Sequence, residues 1–85
     1  MSSAEGVALT ETGTEIRVAL EGQFIVVTLP GTSFRAAYFK SPDSPWLMQS
    51  NYMTDDAEAP IARTEFHALA WRAANEKARE LGWIV

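Results

Sequence analysis

Few side chains in this sequence have the chemistry of a catalytic site. His67 is the single histidine, and the chain has no cysteine, so His67 is the natural general base to weigh first. A general base needs an orienting partner. Glu65 stands two positions away, and side chains at i and i+2 diverge on a helix. Asp55 and Asp56 are the remaining orienters. No serine or threonine around His67 stands in a recognisable nucleophile motif. A histidine at the edge of an apolar helix face is the simpler reading.

Asp55, Asp56 and Glu58 offer the oxygen ligands that Ca²⁺ or Mg²⁺ takes. The segment lacks the alternating ligands and central glycine of a calcium loop. Acidic residues ahead of a helix are already accounted for by the helix dipole. Gly-rich phosphate loops, zinc ligand sets and hydrolase elbows do not occur in the sequence. No metal and no cofactor is therefore expected, and the reading leans away from an enzyme.

A second group of side chains, Arg17, Phe24, Val26, Arg35 and Phe39, has the chemistry of recognition. Arginine and aromatic residues are the usual anchors of protein interfaces. Whether these five belong together depends on the strands that carry them.

Thr14 to Leu20 alternates, with Ile16, Val18 and Leu20 on one side and Glu15, Arg17 and Ala19 on the other. Glu21-Gly22 reads as a two-residue hairpin turn, and Gln23 to Leu29 returns as a second strand. That loop pairs Leu20 with Gln23, Val18 with Ile25 and Ile16 with Val27, so the apolar residues share a face. Pro30-Gly31 is the next turn, and Phe34 to Lys40 a third strand. Phe34, Ala36 and Tyr38 join the first face; Arg35, Ala37 and Phe39 join the second. The two prolines of Ser41 to Pro45 mark a loop, and Trp46 to Tyr52 is a candidate edge strand. Thr54 to Pro60 is an acidic connector.

The last third reads as one amphipathic helix over Ala62 to Leu81. Pro60 moves Ala59 out of helical space. With Ala62 as N-cap, Glu65 falls at N3, and Ile61 and Phe66 take the two positions of a hydrophobic staple. Gly82 suits the left-handed residue after the helix, and Trp83 can fold back on the last turn. Phe66, Leu69, Ala70 and Ala73 are the helix residues expected in the core. Their sheet partners are Ile16, Val18, Leu20, Ile25, Val27, Leu29, Phe34, Ala36 and Tyr38.

Strands followed by one helix give an α+β plan: an antiparallel meander of three or four strands packed on a C-terminal helix. The chain of 85 residues makes one domain, expected over 14–85. Residues 1–13 are expected to form a flexible arm with a brief strand at Val7 to Leu9. No apolar run approaches the roughly 20 residues of a membrane span, and the N-terminus lacks a signal pattern. With no cysteine, the cytoplasm is the expected compartment.

A one-layer sheet needs one apolar face, yet the second face carries Phe24, Val26 and Phe39. The expected register sets Arg17, Val26 and Arg35 in one row, with Ala19, Phe24 and Ala37 in the next. The expectation is a small non-catalytic module that binds a protein, or a second copy of itself, through the sheet face opposite the helix. Nucleic-acid binding through the same face is the alternative. A net charge of −4 and a pI near 4.8 oppose it, because phosphate contacts supply most non-specific affinity. A small enzyme using His67 stands third.

Overall fold

The structure, a computed structural model describing residues 6–9, 15–51 and 53–84, runs β1 (Gly6–Leu9), β2 (Glu15–Glu21), β3 (Phe24–Thr28), β4 (Arg35–Lys40), β5 (Leu47–Gln49) and α1 (Arg63–Glu80). The strands form a five-stranded antiparallel meander in chain order. The helix crosses one face over β3, β2 and β4. This is the expected α+β plan, with the brief strand expected at Val7 to Leu9 joining the meander as a fifth.

That strand is β1, which pairs Val7 with Arg17 and Ala8 with Ile16. Part of the expected arm is thus built into the sheet edge; the rest of the arm, residues 1–5 and 10–13, lies outside the described residues. The candidate strand 46–52 is realised only over Leu47–Gln49, and Tyr52 lies outside the described residues. Ser50 N–H still donates to the Ala37 carbonyl at 2.8 Å, which carries the ladder one bond past β5.

Gly22 decides where the first hairpin closes. It holds φ +64° and no non-glycine residue among the described residues has positive φ, so Gly22 is the first residue of the loop and Gln23 the second. Glycine first and a negative φ second is the pattern of a type II′ turn. The expected Glu21-Gly22 loop is therefore corrected to Gly22-Gln23. Glu21 becomes the last strand residue, opposite Phe24. The register moves by two: Leu20 pairs with Ile25 and Val18 with Val27. A shift of two preserves the facing of every side chain, so the apolar face survives the correction. The second turn follows the sequence signal more closely. Thr32 N–H donates to the Leu29 carbonyl at 3.1 Å across Pro30-Gly31, with Gly31 at φ +83°, as a type II turn requires.

Between sheet and helix lie Ile16, Val18, Ile25, Val27, Leu29, Phe34, Ala36, Tyr38 and Leu47, packed on Phe66, Ala70, Ala73, Ala74 and Ala78. Leu20 packs at the margin of this cluster. Leu69, expected in the core, is only half-buried, while Ala74 and Ala78 are fully buried. Phe66, Ala70, Ala74 and Ala78 are spaced by four, which makes one ridge along the helix. Alanines on that ridge let the backbone approach the sheet closely, and the bulkier Leu69 is left on the flank. Phe66 fills the gap that the alanines leave at the N-terminal end, stacked on Phe34 with ring centroids 4.6 Å apart.

The helix ends follow the sequence closely. Ala62 is the N-cap with no side-chain cap bond, and Glu65 lies in the first turn. At the other end Trp83 N–H donates to the Ala78 carbonyl and Gly82 N–H to the Arg79 carbonyl, with Gly82 at φ +80°. This is the Schellman arrangement.

Candidate interaction surface

The hairpin correction redraws the second face. Its rows are now Arg17–Thr28–Arg35, Ala19–Val26–Ala37 and Glu21–Phe24–Phe39–Met48. The expected row of Arg17, Val26 and Arg35 is replaced, because Thr28 takes the place assigned to Val26. Phe24 leaves the row of the two alanines and stands beside Phe39. All five predicted residues, Arg17, Phe24, Val26, Arg35 and Phe39, nevertheless share the face opposite the helix.

Three of them are brought into direct arrangement. Phe24 and Phe39 meet edge to face, with centroids 6.0 Å apart and planes at 70°. Such pairs contribute about 0.5–1.5 kcal/mol beyond their area. Arg35 Nη2 donates to Glu21 Oε1 at 2.9 Å. Arg35 and Glu21 stand at opposite ends of the face, so their bridge arcs over the middle row. Val26 and Ala37 in that row are only 3% and 2% exposed, with no described element packed over them. Glu21, Phe24, Val26, Arg35 and Ala37 line a dimple of about 200 Å³. Beyond the ring pair, Phe24, Phe39, Gln49 and Ser50 line part of an open hollow of about 400 Å³. Arg17 is exposed at the β2 end and has no ion-pair partner among the described residues.

Sequence reasoning missed two members of this surface and left a third open. Glu21 was assigned to the turn. Met48, 44% exposed, stands opposite Phe39. Trp46, 66% exposed just before β5, extends the apolar area. The sequence left Glu21 open: glycine stands first in a type II′ loop and second in a type I′ loop, and only the former leaves the residue before Gly22 in the strand. Met48 was hidden by the weak pattern of its short strand.

The other candidates are placed elsewhere. His67 Nε2 lies 3.7 Å from Asp55 Oδ1, too long for a hydrogen bond, and is buried without a hydrogen-bond partner among the described residues. Asp55 Oδ2 instead forms an ion pair with Arg63 Nε at 3.0 Å. The carboxylate thus serves a surface ion pair rather than the imidazole. Asp56 is turned the other way and accepts from the Ser33 and Glu58 backbone N–H groups. No three His, Asp or Glu side chains come together as a metal site among the described residues. Tyr38 is core: it sits under the helix beside Trp71, and burial pushes its phenol up to about 12. Among the described residues no helix is long and apolar enough to cross a membrane.

No protein-family model matches the chain, and neither a curated protein nor a solved structure does.

Proposed function

We propose that this chain is a small non-catalytic module that binds a protein through the sheet face opposite α1, in a cytoplasmic setting. The observation that carries this reading is the row Phe24–Phe39–Met48. It is an apolar, aromatic strip on the face the helix does not use, extended by the exposed Trp46. Aromatic rings together with arginines on one face match the composition of interface hot spots. The nucleic-acid alternative gains no support from the geometry. The cations on this face among the described residues are Arg17 and Arg35, and Arg35 is already paired with Glu21. Two phosphate contacts at most would give little affinity at physiological salt.

The test combines a folding readout with a contact readout. Phe24→Ser together with Phe39→Ser should leave a cooperative thermal transition, because the two rings touch each other rather than α1. A photo-crosslinking residue at Ala19, on this face, should give discrete adducts in living host cells. The same residue at Arg72, on the outer side of α1, should give none, and the double serine variant should lose those seen from Ala19. Unfolding of the double variant, or equal adducts from both positions, would overturn the reading.

A further inference from the structure

The apolar strip ends on a side chain whose polarity can be changed chemically. Met48 closes the row Phe24–Phe39–Met48, opposite Phe39, and is 44% exposed. The chain has no cysteine, so its sulfur chemistry rests on three methionines. Met1 lies outside the described residues. Met53 is placed differently in two respects. It is partly buried and packs against the helix-side core. Gln49 Nε2 also donates to its sulfur, which engages a lone pair that an oxidant would need. Met48 belongs to no part of that core and offers its thioether to solvent.

We propose that Met48 is a site of reversible oxidation, which turns this strip from apolar to polar while the fold stays intact. The oxidant is a peroxide. A lone pair of Sδ attacks one peroxide oxygen, and the O–O bond breaks as the S–O bond forms. The hydroxyl now on sulfur gives its proton to the departing hydroxide, which leaves as water. Sulfur loses two electrons and the peroxide gains them, so thioether and hydrogen peroxide become sulfoxide and water. Reductases specific for each sulfoxide epimer carry the reverse step.

Position decides the consequence. A sulfoxide in a core disrupts packing, because a flexible apolar side chain has become a polar one. At Met48 it leaves the stacked Phe34 and Phe66 and the alanine ridge of α1 untouched. It places a strong hydrogen-bond acceptor at the end of the strip instead. An acceptor carried into an apolar contact loses its water and gains no donor. The strip therefore binds an apolar partner surface more weakly once Met48 is oxidised. That last step rests on the reading of this face as a protein-contact surface; the oxidation itself does not.

The test treats the full chain with hydrogen peroxide and follows each methionine by peptide mass spectrometry. Sulfoxide should form several-fold faster at Met48 than at Met53. A cooperative circular dichroism melt should survive complete oxidation of Met48. Retention of the folded chain on a phenyl column then reads the exposed apolar surface without any partner. Peroxide should shorten the retention of wild type. Met48→Leu keeps the apolar volume without the sulfur, so its retention should hold. In host cells a brief peroxide pulse should remove the Ala19 adducts of wild type and spare those of Met48→Leu. Equal oxidation rates at Met48 and Met53 overturn the site. So does unfolding on Met48 oxidation, or an equal loss of retention in Met48→Leu. Adducts that persist in oxidised wild type overturn its effect on the contact. Absence of Ala19 adducts before any peroxide would overturn the contact reading instead, and oxidation rates and retention would still decide the oxidation site.

Discussion

Asp56 shows how one carboxylate ties two segments that the chain keeps 23 positions apart. It accepts from Ser33 N–H and Glu58 N–H, both at 2.9 Å, while Thr54 Oγ1 donates to the Ser33 carbonyl beside it. Arg35 and Thr54 exchange backbone hydrogen bonds at 3.1 and 3.0 Å, so the connector runs alongside the start of β4. Donation first from Ser33 and then from Glu58 holds the Asp56 carboxyl below the usual carboxylate range. The folded-state value lies below the unfolded one of about 3.9. The stabilisation is thus fully present above about pH 4 and is lost as pH falls through the folded value. Asp56→Ala should lower the urea midpoint at neutral pH, and its gap from wild type should close on acidification. A gap unchanged at about pH 2 would place the loss elsewhere than in the ionised carboxylate. The sequence showed an acidic run before a helix and a dipole to explain it. It could not show Ser33, because the contact is non-local.

Helix α1 was legible almost to the residue, because its signals are local. The Pro60 stop, the Gly82 exit and the spacing of Phe66, Ala70 and Ala73 all lie within or beside the element they define. Its one soft spot was legible too. Ala62 has the extended N-cap backbone, φ −74° and ψ 157°, but no side-chain oxygen to accept an amide of the first turn. Ala62→Ser should stabilise the chain by about 1 kcal/mol. In a thermal scan that is a rise of about 4–8 °C for a domain of this size. An unchanged midpoint would mean the hydroxyl does not reach the Thr64 or Glu65 N–H. The first hairpin was less legible. Both Glu21-Gly22 and Gly22-Gln23 place apolar residues on one face, so periodicity could not choose between them. The backbone φ of Gly22 chose.

At the scale of the whole molecule, the sheet has two apolar faces with different duties. Phe34 and Phe66 stack at 8° in the helix-side core, and both are almost wholly buried. Phe34→Ala should cost about 3–5 kcal/mol. The entire stability expected for a chain of this length is about 4–13 kcal/mol, so this variant should be severely destabilised in urea unfolding. Phe39→Ala on the opposite face should cost about 1 kcal/mol, the worth of one ring pair at a half-buried site. Equal costs at the two positions would make the second face core and remove the surface proposed for binding.

Composition, alternation and end signals determined the α+β class, the helix, which residues face α1 and which five residues share the other face. These follow from periods of two and 3.6 residues, which survive any even slip of register. The tertiary structure alone decided which residues are neighbours on that second face. It moved Thr28 between the two arginines, set Phe24 beside Phe39, and brought Glu21 within reach of Arg35. It also paired the brief first strand with β2 and enlisted Met48. Pairing across strands depends on the turn conformation and on contacts between distant segments, and neither leaves a periodic trace in the chain.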